Sequence, residues 1–124
     1  MAEKSYFFND VNNDRVYLAE DFAKYFGTLI ANGVFPNPST NVQVLANIET
    51  PMTVTIMPGY AWINGYMYWN QVNLVKTLEP AYTNPRIDRV VIRWTSNTRD
   101  IKIYILTGTP AAAPVAPDLT RNRF

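Results

Sequence analysis

The sequence predicts a mainly β chain, an antiparallel β-sandwich of about seven strands with one N-terminal α-helix packed against it. Three observations predict it. One early stretch spaces its apolar residues with a helical period, and the later apolar segments alternate with a period of two. Between them the run PGYAWINGYMYW places two aromatic arms on either side of Asn64-Gly65, a pair that strongly favours a tight hairpin turn. With 124 residues the chain suits a single domain, 1–124, able to bury a core without disulfides or metals.

The helix is expected over about residues 18–31. Leu18, Phe22, Tyr25, Phe26, Leu29 and Ile30 share one helical face, Glu20 and Asp21 lie in the first turn, and Asn32-Gly33 supplies a stop. VFPNPSTN, with two prolines in a polar setting, reads as a loop. Strands then occupy about 42–107. VQVLAN, MTVTIM and VNLVKTL are three of them, with Val54 and Ile56 alternating against Thr53 and Thr55.

The two arms around Asn64-Gly65 pair Ile63 with Tyr66, Trp62 with Met67, Ala61 with Tyr68 and Tyr60 with Trp69. One face of this hairpin carries Ala61, Ile63, Tyr66 and Tyr68; the other carries Tyr60, Trp62, Met67 and Trp69. Neither face is polar, so both need a cover. The first belongs to the sheet core, and the second is left to the helix, through Phe22 and Phe26, or to another subunit. EPAYTNPR forms a second loop. RIDRVVIRW and IKIYIL make a final hairpin in which Val90, Ile92 and Trp94 meet Ile101, Ile103 and Ile105. The proline-rich segment 108–124 is an extended arm or linker.

Composition narrows the chemistry. The chain has no histidine and no cysteine, which removes the commonest general base, the strongest nucleophile and the usual zinc ligands. Its carboxylates are scattered, and the adjacent Glu20 and Asp21 diverge on a helix, so no acid/base pair forms. The expectation is a protein that is not an enzyme and uses no cofactor. Asp10, Asn12, Asp14 and Asp21 match positions one, three, five and twelve of a calcium loop, but Arg15 stands where that loop needs glycine. A polar turn leading into the helix is the preferred reading, and no metal site is expected.

A net charge of +1 gives no electrostatic argument for nucleic acid or an anionic membrane. Arg86, Arg89, Arg93, Arg99 and Lys102 read as a solvated sheet face, with Asp88 and Asp100 beside them. No nucleic-acid partner is therefore expected. No stretch of 18 apolar residues and no secretory signal pattern occurs, so neither membrane insertion nor export is expected. Charged residues make up only 17% of the chain, a composition suited to contact surfaces.

The ordered set RVYLAEDFAKYFGTLIANGVFPNPSTNVQVLAN, MTVTIMPGYAWINGYMY, RIDRVVIRW and LTGTPAAAPVAPDLTRN resembles the N-terminal modules of tail and baseplate proteins of siphophages infecting Gram-positive bacteria. By fold, the best-known members are the shoulder domains of lactococcal phage receptor-binding proteins, and the chain is also similar to small baseplate-region proteins of Bacillus siphophages. The resemblance runs from about Arg15 to Asn122, with GVFPNPST, PGYAWINGY and RIDRVVIR its most specific phrases. It implies a β-sandwich with one helix, built into the distal tail of the virion and contributing to host attachment. Shoulder domains form trimers and anchor a neck and a receptor-binding head. Here the sequence ends at Phe124 without a head, which favours an adaptor or peripheral baseplate role.

The resemblance thus implies a virion structural protein at the tail tip, assembled in the bacterial host cytoplasm, whose partners are other baseplate proteins and further copies of itself. The alternative is a carbohydrate or cell-wall-binding module that meets a host cell-surface saccharide through its aromatic rings. In either case Tyr60, Trp62, Tyr66, Tyr68 and Trp69 are the candidate partner or subunit interface.

Overall fold

The computed structural model describes residues 3–119. Its elements are a helix α1 (Ala19–Gly27) and eight strands: β1 (Gly33–Val34), β2 (Val44–Ala46), β3 (Thr53–Ile56), β4 (Gly59–Ile63), β5 (Tyr66–Asn70), β6 (Leu74–Thr77), β7 (Arg89–Thr95) and β8 (Asp100–Leu106). They form three antiparallel sheets, ordered β1-β4-β5, β2-β3-β6 and β7-β8, in a sandwich-like arrangement. The chain is mainly β with one short helix, as the alternating pattern predicts.

Both hairpins take the register expected from their sequences. Across β4 and β5, Tyr60 pairs with Trp69, Ala61 with Tyr68, Trp62 with Met67 and Ile63 with Tyr66. Asn64 (φ 52°) and Gly65 (φ 81°) supply the two left-handed residues of the tight turn. Gly65 is also required by close approach, because a Cβ there would run into the carbonyl of Ala23 on α1. In the second hairpin Val90 meets Ile105, Ile92 meets Ile103 and Trp94 meets Ile101.

The inward faces of all three sheets converge on one core. Ile56 of β3 is completely buried, and Ala61, Tyr68 and Ile103 close around it with Val42. Val54, Leu74, Val90, Ile92 and Ile101 pack against this nucleus from its edges. Alternation explains the set: on each strand the residues two apart share a face, so one period-two row per strand reaches the interior.

Two elements depart from expectation. The helix is shorter than 18–31: it closes at Gly27, where the N–H groups of Leu29 and Ile30 fold back onto the carbonyl of Phe26 (3.0 and 2.8 Å) and the Thr28 hydroxyl donates to that of Tyr25 (2.8 Å). Glycine followed by a residue that hydrogen-bonds its own backbone ends a helix early. Its start is secured by Asp21, whose Oδ2 accepts the Leu18 N–H at 2.8 Å. The other departure is β1, two residues of the segment read as helix stop and loop; Gly33 and Val34 pair with Trp62 and Ala61 of β4.

The proline-rich segment packs back on the fold as far as it is described. Gly108 N–H donates to Asp88 Oδ1 (2.9 Å), Ala111 N–H to the Pro85 carbonyl (3.0 Å), and Arg89 Nε to the Pro117 carbonyl (2.8 Å). Residues 120–124 of the expected arm lie outside the described residues.

Candidate functional site: the aromatic hairpin

The five aromatic residues singled out in the sequence divide among three environments. Tyr68, on the inward row of β5, is buried, and that burial raises its hydroxyl pKa above the ordinary tyrosine value, so it stays a neutral phenol. Tyr66 is half-buried, its ring 5.7 Å from that of Trp94 on β7. Both lie on the interior row of the hairpin, and both border the groove described below.

The other row points outward and is covered unevenly. Trp62 is wedged between Phe26 of α1 (centroids 5.9 Å apart) and Phe35 just beyond β1 (6.0 Å), and its buried indole N–H has no acceptor among the described residues. Tyr60 and Trp69 are stacked in parallel at 5.6 Å and 17°, yet remain 37% and 51% exposed. Met67, between Trp62 and Trp69 on the same face, is 50% exposed. The helix therefore covers the outward row at Trp62 and leaves Tyr60, Met67 and Trp69 open.

Helix α1 itself buries little. Only Ala23 of the helix is buried, seated over the Asn64-Gly65 turn. Phe22, Tyr25 and Phe26 remain 47%, 43% and 38% exposed, although Phe22 stacks on Phe7 at 4.5 Å and Tyr25 lies 5.3 Å from the same ring. The apolar stripe of the helix is thus only partly covered by the N-terminal segment. Met67 and Phe35 are the contributors that composition alone does not single out; the signal for Met67 is its place on the outward row of the hairpin.

A groove of about 890 Å³ runs along β5 between α1 and the turn joining β7 to β8. Tyr66, Met67, Tyr68 and Trp69 line one side; Ala23 and Lys24 of the helix and Arg99 and Asp100 of the turn line the others. Two carboxylates, Glu20 and Asp100, and two cations, Lys24 and Arg99, border it, so the groove carries no net charge.

The remaining candidates are engaged in structure. Asp10 Oδ1 accepts the Arg15 N–H (3.0 Å) and Asp14 Oδ1 the Val11 N–H (2.9 Å), which makes the 10–15 segment the polar turn its sequence suggests. Of the basic residues, Arg89, Arg93, Arg99 and Lys102 are exposed, as expected of a solvated face, and Arg86 is the exception. Arg86 is buried against Asp88 (2.9 Å), donates to the carbonyls of Glu79 and Pro80, and holds the Asp88 carboxyl below the usual carboxylate range. Arg93 lies over the Tyr104 ring (4.1 Å), and Lys102 pairs with Asp100 (3.5 Å).

Against known proteins, no family model, no curated protein and no solved structure matches this chain.

Proposed function

We propose that this chain is a structural component of a phage tail tip, an adaptor or peripheral baseplate protein that works by contact with neighbouring subunits and not by catalysis. The observation that carries the reading is the outward row of the β4–β5 hairpin, where stacked Tyr60 and Trp69 and the adjacent Met67 remain exposed on a face of the sheet. Contiguous exposed aromatic and thioether groups are costly to leave in water and are characteristic of the centres of protein interfaces.

Further support comes from the sequence resemblance to siphophage baseplate modules and from a composition without histidine or cysteine. On this reading the protein is assembled in the host cytoplasm and carried in the virion.

Immunogold labelling of phage particles with antibody against this chain tests the proposal. Gold at the tail tip is the expected result. Absence of the chain from purified particles, by immunoblot, overturns it and leaves the carbohydrate-binding alternative, for which tagged protein would label host cells.

A further inference from the structure

The geometry points to β5 as a pairing edge through which two copies of this chain join across a two-fold axis, each adding its β5 to the other's sheet. The inference does not rest on the tail assignment; it concerns the isolated chain in solution.

β5 is the last strand of the sheet β1-β4-β5. Its free edge can be read from bonds on the far side of β4. Tyr60 receives the Phe35 N–H on its carbonyl (3.2 Å) and donates its own N–H to Asn41 Oδ1 (3.3 Å), so both its backbone groups point away from β5. In an antiparallel ladder, residues facing each other at such a position both turn their backbone groups away from the partner strand. Trp69, opposite Tyr60, and Met67, opposite Trp62, therefore aim their N–H and C=O groups outward from the sheet. The intervening Tyr68 spends its groups on Ala61.

This spacing is complementary to itself. An antiparallel copy of β5 centred on Tyr68 sets Met67 against Trp69 of the partner subunit, and Trp69 against Met67 of the partner subunit. Each such pair exchanges two backbone hydrogen bonds, so all four outward groups of each strand are satisfied, and a three-stranded sheet becomes a continuous six-stranded one. The same register lays each exposed thioether beside an exposed indole on the outward face, a favourable sulfur–aromatic contact.

A further observation selects a second copy as the occupant. The groove of about 890 Å³ lies along this edge, and its border holds two carboxylates and two cations, Glu20, Asp100, Lys24 and Arg99, a neutral pattern that can face its own two-fold image.

Two substitutions test the edge. Met67→Pro removes an N–H that points away from β4 and so breaks no bond of the hairpin itself, a setting in which edge strands accept proline. Met67→Lys keeps the backbone and places a charge on the pairing face. The wild-type chain at tens of micromolar should show twice its 14.2 kDa mass by light scattering, or an even multiple of that mass, and both variants should halve it with the far-ultraviolet circular dichroism unchanged. If Met67→Pro fails to fold, Met67→Lys decides. A monomeric or trimeric wild type, or an oligomer that folded Met67→Lys leaves at full mass, overturns the inference.

Discussion

Replacing Ile56 by alanine strikes the one large side chain that is completely enclosed among the described residues, at the point where β3 meets the inward rows of β4, β5 and β8. The substitution deletes three carbon groups, each worth about 0.8 kcal/mol on transfer from water, or about 2.4 kcal/mol. If its neighbours hold their positions, the void of about 80 Å³ adds about 1.9 kcal/mol at roughly 24 cal/mol per Å³. The sum, about 4 kcal/mol, is a large share of the 5–15 kcal/mol by which a domain is usually stable, as order-of-magnitude figures. With an unfolding entropy of about 2.1 cal/mol/K per residue, the midpoint falls by about 15 °C. Thermal and urea unfolding followed by circular dichroism measure it, and the urea slope should be unchanged if the variant remains two-state. A loss below about 1 kcal/mol would refute a core centred on Ile56.

Gly65→Ala should destabilise the chain by more than the 1–2 kcal/mol typical of a left-handed non-glycine residue, because the new Cβ also meets the Ala23 carbonyl. A melt indistinguishable from wild type would show that α1 does not sit on the turn. Acid should weaken the loop around Asp88. Hydrogen bonding from Arg86 lowers its folded pKa, so its contribution is fully present above about pH 5 and is lost as the pH falls below about 4 and through the depressed folded value. Asp21, lowered chiefly by the Leu18 N–H, acts in the same direction. Asp88→Asn should therefore flatten, without abolishing, the fall in Tm between about pH 4 and 2; a curve parallel to wild type contradicts the linkage. Gly108→Ala should destabilise the described part of the C-terminal segment, because a Cβ there meets the Ile87 carbonyl, and hydrogen exchange at Ala111 should quicken.

Much of this fold is legible in the sequence because its hairpins are local. Asn64-Gly65 sets the register of β4 and β5, and a period of two then assigns every side chain to a face. The same logic pairs Val90, Ile92 and Trp94 with Ile105, Ile103 and Ile101. What local pattern cannot reveal is how far each face is covered. Tyr60 and Trp62 share a row, yet Phe26 and Phe35 arrive from distant segments to shield only Trp62. Likewise the apolar stripe of α1 predicts burial, but the helix touches the sheet mainly through Ala23 and Phe26, so Phe22 and Tyr25 stay substantially exposed. Strand β1 is too short to show alternation, and it exists because β4 offers Gly33 and Val34 a partner. Arg86 reads as a surface cation until Asp88 and the carbonyls of Glu79 and Pro80 enclose it.

We propose that the open part of the outward row, around Tyr60 and Trp69, is an assembly surface and not a spare part of the core. Particle incorporation of the double variant Tyr60→Thr, Trp69→Thr tests it most directly, since threonine keeps β propensity while removing both rings. The double variant should melt cooperatively within about 2 kcal/mol of wild type but be lost from purified phage particles by immunoblot. Wild-type levels of the folded double variant in those particles would contradict it.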